Sequence, residues 1–272
     1  ILSNRDPRFA TPTPEALDKV TPDGFRAVWE PILKTGPIEV LVFGDIDKAA
    51  VIDALTTTFG ALPPRETPSA AVLTRPVGFP NGTPTPIRLT HSGEADQAAA
   101  VVAWETGGGT AGIRESRRLE ILTQVFNNRL MDALRERAGA SYAPQVFSKW
   151  PLDIDSGGQV VALAQLSPGM TDAFFTEADR IARELAATGP TEDELQRVTE
   201  PLYQLLMRIQ TGHTFWLSQF EGASTNPERL AALGTLLPDY TRTTPEEMRA
   251  LAAKYLLPGE AVKVVVVPET AQ

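Results

Sequence analysis

The spacing of apolar residues divides the chain into a few strongly patterned stretches. Leu122, Phe126, Leu130 and Leu134 recur every four residues in a segment from about Gly112 to Arg137, the stripe required of a helix that covers a sheet. Gly139 follows, where a left-handed helix stop is expected. Strands are expected at Ile87 to His91 and at Ala98 to Trp104, the second so continuously apolar that it belongs at the centre of its sheet. Two more are expected at Tyr142 to Trp150 and Gly158 to Leu166, joined by a polar turn that carries Asp153 and Asp155. Helical segments follow over 169–187, 191–210 and 213–222, the middle one opening on a Thr191-Glu192-Asp193-Glu194 capping box. Strands in consecutive pairs with long helices grouped between them predict an α+β fold: a mostly antiparallel sheet covered by long helices.

Two stretches echo one another. Thr21-Pro22-Asp23-Gly24-Phe25-Arg26-Ala27-Val28 and Thr244-Pro245-Glu246-Glu247-Met248-Arg249-Ala250-Leu251 both read as helix starts, with a threonine cap, proline at the first helical position and acidic side chains in the first turn. Each leads into an apolar strand, Ile38 to Phe43 in the first copy and Val262 to Val267 in the second. The copies lie 223 residues apart at the helix and 224 at the strand, a domain-scale spacing that reads as duplication with one insertion in the connecting loop. On that reading residues 1–62 are the closing segment of a preceding module, 63–86 a Pro-rich linker and 87–272 a second module, so that the chain starts part-way through a module. Seven prolines from Pro63 to Pro86 give the linker an extended course.

Composition then narrows the chemistry. A chain of 272 residues that is 42% hydrophobic can bury one large core, or one domain and part of another. Its net charge of -9, without any basic stripe, argues against nucleic acid as a partner. No apolar run reaches the roughly eighteen residues of a membrane span, and the first residues lack the basic-then-apolar pattern of a signal peptide. The absence of cysteine excludes disulfides, thiolate metal sites and a cysteine nucleophile. Imidazole can come only from His91 and His213, 122 residues apart, neither with a second histidine at helical spacing. A self-sufficient zinc site built from both would need a carboxylate placed by folding, whereas a strand end for His91 and a helix start for His213 explain them without metal.

Other motifs carry less. Gly107-Gly108-Gly109 lacks the Lys-Ser/Thr of a phosphate-binding loop and reads as a flexible connection. Ser141 has neither a histidine base nor nucleophile-elbow glycines beside it.

The stretch from Asn127 to Pro144, NNRLMDALRERAGASYAP, resembles the C-terminal, substrate-binding, non-zinc half of the pitrilysin/insulinase family of zinc peptidases, which is related to mitochondrial processing peptidase. In that family a helix ends in an arginine, turns at a glycine and places a tyrosine seven residues after the arginine; Arg135, Gly139 and Tyr142 hold that pattern, with Arg129-Leu130 as the preceding helix signature. The stretch from Val40 to Asp47, running on to Phe59-Gly60 and Leu62-Pro63, looks like the segment that closes a module in the same family. The resemblance implies that Arg135 anchors the substrate backbone through its two-pronged guanidinium, and that the Tyr142 phenol helps stabilise the transition state. The family's His-x-x-Glu-His zinc motif is absent. Zinc is therefore expected in a complementary N-terminal half, on the same polypeptide or a partner chain, and this chain alone is expected to be inactive. An extended peptide substrate would join as an added strand on a sheet edge, and a bacterial periplasm or envelope location is implied in the same way. The alternative is a non-catalytic structural or assembly subunit of the same fold.

Overall fold

The computed structural model describes residues 1–67, 75–138, 143–257 and 259–269. A five-stranded sheet forms from β1 (Ile87–His91), β2 (Ala98–Thr106), β3 (Gln145–Lys149), β4 (Gly158–Leu166) and β5 (Val262–Pro268), with β2, β4 and β5 almost continuously apolar. The spatial order is β1-β5-β2-β4-β3, with β1 parallel to β5 and the other neighbours antiparallel. The mostly antiparallel sheet under long helices is thus the α+β arrangement that the pattern predicts. β2 runs two residues past Trp104 because Glu105 and Thr106 stay in register with Gln159 and Gly158. β3 begins at Gln145, and Tyr142, Ser141 and Gly139 lie outside the described residues.

Helices α4 (Ile113–Ala138), α5 (Thr171–Thr188) and α10 (Pro245–Tyr255) pack on the sheet, after α1 (Pro14–Leu17), α2 (Pro22–Lys34) and α3 (Lys48–Thr57) near the start of the chain. Between α5 and α10 come α6 (Glu192–Ile209), α7 (His213–Phe220), α8 (Pro227–Leu233) and α9 (Leu236–Thr241). The four-residue stripe of α4 is sealed: Leu122, Phe126, Leu130 and Leu134 are buried against Ala100, Val102 and Trp104 of β2 and Ala162 and Ala164 of β4 within one core. Trp104 meets Phe126 with ring centroids 5.8 Å apart. Truncating any one of these large side chains to alanine would cost about 2–5 kcal/mol through lost burial and the cavity left behind. The expected capping box at Thr191 with Glu194 forms, and the Thr244 cap proves to be a second one, closed by Glu247.

The Gly107–Gly109 loop is not the flexible connection its composition suggests. A Cβ on Gly107 would come within 2.6 Å of the Trp150 ring, one on Gly108 would overlap backbone at Ile154, and the Trp150 indole donates to the Gly109 carbonyl at 2.9 Å. Here glycine supplies clearance for close packing of the β2 end against the β3–β4 turn. Residues 75–86 carry no regular element yet are tied down: the Val77 amide donates to Ser156 Oγ at 2.7 Å, and Thr83 Oγ1 accepts from the Lys263 amide at 2.8 Å.

Residues 14–62 behave differently. Thr21 caps α2 as expected, accepting from the Gly24 amide at 3.1 Å. However, α2 and α3 bury no residue, and the expected strand from Ile38 to Phe43 pairs with no other strand among the described residues.

Candidate functional site

α6 lies along the outer side of α4, and the two helices with the edge strand β3 leave an open groove. One end, of about 670 Å³, is lined by Phe147 and Ser148 of β3, Glu120 and Gln124 of α4, and Leu202 and Leu205 of α6. The other, of about 450 Å³, is lined by Arg129, Asp132 and Arg135 of α4 and by Glu194 and Arg197 of α6. Asn128 and Arg197 border both, so the recesses adjoin. One wall is apolar with the unfinished sheet edge beside it, and the far end is lined by three arginines and two carboxylates.

A charge pair ties α6 to α4. Arg129 grips Glu194 with both prongs, Nε to Oε1 at 2.7 Å and Nη2 to Oε2 at 2.8 Å, and also donates to the Gly189 carbonyl at 3.2 Å. Glu194 closes the Thr191 capping box as well, accepting from the Thr191 amide at 2.8 Å. The Arg129 hydrogen bonds, assisted by the Thr191 amide, hold the Glu194 carboxyl down at about 2. This network fixes the first turn of α6 against α4.

Arg135 lies six residues, about one and two-thirds turns, further along the same helix and is exposed. It donates to no group among the described residues. The sequence motif marked both arginines, and the structure separates them: Arg129 is committed to Glu194 and Gly189, while Arg135 makes no such bond among the described residues. Tyr142, the other residue of the expected pair, lies outside the described residues.

The edge of β3 is half guarded. The Val146 amide, which faces away from β4, donates to Asn127 Oδ1 at 3.0 Å, so a side chain of α4 occupies the first edge position. Two residues on, the Ser148 amide faces the same way by strand periodicity and borders the apolar recess. Partial guarding of this kind limits indiscriminate strand pairing while leaving a short stretch of edge to be read.

Deeper in, a buried network that the sequence reading missed anchors α8 and α9 to α4. Asp239 is fully buried and accepts from Arg114 Nε at 3.0 Å, Arg117 Nη1 at 3.0 Å and Thr235 Oγ1 at 2.8 Å. The Tyr240 hydroxyl donates to Glu120 at 2.6 Å. Burial raises the Glu120 carboxyl above its ordinary range despite that hydrogen bond, and burial with the neighbouring Glu120 charge raises the Tyr240 phenol. Sequence offered one usable signal here, Asn226-Pro227-Glu228, a cap followed by proline and an acid; Asn226 Oδ1 does accept from the Glu228 amide at 3.0 Å.

The residues present do not suit zinc. His91 Nδ1 accepts from the Gly93 amide at 3.0 Å and its Nε2 faces the Gln97 carbonyl at 3.0 Å, so a neutral ring satisfies both nitrogens. His213 opens α7 and is exposed. Among the described residues no three His, Cys, Asp or Glu side chains gather where they could hold a metal ion, and no helix is long and apolar enough to cross a membrane.

Comparison with known proteins places this geometry. The structure of a peptidase M16 inactive domain from Pseudomonas fluorescens is similar over 95% of this chain and 60% of its own, at 17% identity and a TM-score of 0.69. A mutant of the ferredoxin protease FusC, solved in complex with Arabidopsis ferredoxin, is similar over 97% of this chain and 28% of its own, at 16% identity and a TM-score of 0.73. The inactive peptidase domain of a putative zinc protease from Bordetella parapertussis is similar over 66% of this chain and 98% of its own, at 19% identity and a TM-score of 0.53. At these identities the likeness is one of fold, and the chain spans less than two thirds of the length of the first two. No match was found among curated proteins. The model of the peptidase M16 inactive domain matches residues 19–202, more than half of the chain, which therefore belongs to that family, the inactive-domain type of the pitrilysin-like peptidases.

Proposed function

We propose that this chain is the substrate-gripping, zinc-free portion of a metalloendopeptidase, completing an active site whose His-x-x-Glu-His motif lies on a complementary half or partner chain. The observation that carries the reading is Arg135: an exposed guanidinium, uncommitted among the described residues, at the arginine-lined end of a groove bordered by a half-guarded sheet edge. A fork of this kind can donate two hydrogen bonds to a peptide carbonyl or carboxylate. An extended peptide laid beside β3 would find the Ser148 amide for a backbone bond and the apolar recess at Phe147, Leu202 and Leu205 for a side chain. Tyr142 takes the role that the family resemblance gives it, a phenol donating to charge that develops on the scissile carbonyl.

The test is reconstitution. This chain is combined with a polypeptide of the same family that carries the zinc motif, and cleavage of a fluorogenic unstructured peptide is followed. Arg135→Ala and Arg135→Lys should both lower kcat/KM, lysine failing to rescue because it lacks the fork, while Tyr142→Phe should lower kcat with little change in KM. Far-ultraviolet circular dichroism should be unchanged in all three. Cleavage that never appears in the combined sample, or that ignores all three substitutions, would favour the assembly-subunit alternative instead.

A further inference from the structure

The apolar recess beside β3 has a carboxylate in its wall. Phe147 of β3 and Pro201, Leu202 and Leu205 of α6 line it together with Glu120 of α4. Glu120 remains open to solvent, so a ligand in the recess can reach it. Its carboxyl accepts a hydrogen bond from the Tyr240 hydroxyl at 2.6 Å, and no cation among the described residues pairs with it. The nearby cations are engaged elsewhere: Arg117 is held by Asp239 and the Ala232 carbonyl, and Arg197, on the α6 side of the recess, by Asp193 at 2.6 Å. Surrounding protein lifts the Glu120 carboxyl above its ordinary range, against the Tyr240 bond and the field of Arg117. Such a carboxylate is poorly compensated, and a cation placed beside it would relieve the cost.

We infer that Glu120 makes this recess a seat for a basic side chain of the bound peptide, lysine or arginine, whose aliphatic stem lies on Phe147, Leu202 and Leu205 while its charged head meets the carboxylate. The inference rests on the peptide-binding reading above and names the residue type that the groove selects. A long basic side chain is apolar along its stem and charged at its tip, the combination that an apolar wall with one carboxylate can match. An acidic side chain would meet like charge at Glu120. A purely aliphatic one would cover the carboxylate without pairing it, which costs free energy. Strand geometry delivers the side chain to the right place. On a strand added at the edge of β3 alternate residues face the helices, the side on which Ser148 stands through its pairing with the core residue Val160 of β4.

Fluorescence anisotropy on the reconstituted protein tests it, with a labelled alanine–serine peptide that carries one variable central residue: lysine, norleucine or glutamate. Norleucine keeps the stem of lysine and lacks its charge. The lysine peptide should bind about tenfold more tightly than the norleucine peptide, and the glutamate peptide more weakly than either. Glu120→Gln, whose amide oxygen still accepts from Tyr240, should bring the lysine and norleucine peptides to within about twofold of each other. Tyr240→Phe removes the same hydrogen bond from its other side and should keep the lysine preference, which separates recognition by Glu120 from a merely structural role of the Glu120–Tyr240 pair. Arg135→Ala should weaken all three peptides by a similar factor. Equal affinity for the lysine and norleucine peptides in the parent protein would overturn the inference and leave the peptide-gripping reading standing. A lysine preference that survives Glu120→Gln would overturn it as well, and binding of none of the three peptides would sink that reading and the inference together.

Discussion

Replacing Glu194 by glutamine removes one charge while keeping the shape of the side chain, and the structure sets what this should cost. Glu194 accepts both prongs of Arg129 and the Thr191 amide, and these bonds, Arg129's the largest, pull its carboxyl from 4.5 to about 2 against the opposing effect of partial burial. Taken at face value that depression is worth about 3 kcal/mol. Both side chains remain partly open to water, Arg129 at 19% and Glu194 at 30%, so solvent screening brings it to about 1–2 kcal/mol. A depressed carboxylate contributes stability that is complete above its unfolded-state pKa and is lost as pH falls through the folded-state value. Glu194→Gln should therefore be less stable than the parent by about 1–2 kcal/mol at pH 7. The gap should shrink below pH 4.5 and reach roughly half or less of its neutral value by pH 3. Urea unfolding at pH 7, 5, 4 and 3 measures it, with Arg129→Lys as companion: the point charge stays, the fork is lost, and the pH-dependent part should diminish. A gap of equal size at pH 7 and pH 3 would refute the reasoning and leave only the uncharged capping hydrogen bonds as the role of this residue.

Asp239→Ala strands the buried Arg117 guanidinium and should cost about 3–5 kcal/mol, whereas Arg114→Ala, which removes the exposed partner, should cost about 1 kcal/mol or less; urea midpoints compare the two. Gly158→Ala should destabilise markedly, because the added methyl would run into the Gly107 carbonyl and the buried Thr106 hydroxyl. Calorimetric titration of the chain with zinc should show no stoichiometric uptake, since both His91 ring nitrogens are already engaged.

The parts of the fold that could be read from sequence are those whose cause is local. The α4 stripe, the capping boxes and the apolar runs of β2 and β4 each follow from period or cap chemistry within a few residues. α8 and α9 escaped because they are short and carry no stripe, Leu230 itself being exposed; their seat depends on Asp239 meeting Arg117, 122 residues away. The Gly107–Gly109 loop misled for another reason. Glycine permits freedom and permits close approach equally, and only the neighbours at Trp150 and Ile154 decide which applies.

The same limit governs the candidate site. Arg129 and Arg135 stand six residues apart on one helix, and no spacing rule separates a guanidinium that holds the scaffold from one offered to a ligand. What separates them is Glu194, supplied from a different helix 65 residues further along. The two should accordingly fail in opposite ways. Arg129→Ala breaks the fork and the Gly189 bond, so it should lower the urea midpoint, and it should weaken peptide binding only indirectly as the first turn of α6 loosens. Arg135→Ala removes no hydrogen bond or ion pair among the described residues and should change stability by less than about 0.5 kcal/mol. Its loss should appear in full as reduced affinity for an extended peptide, measured by fluorescence anisotropy on the reconstituted protein. A stability loss for Arg135→Ala as large as that for Arg129→Ala would mean that this side chain is spent inside the fold, and the gripping role would have to be given up.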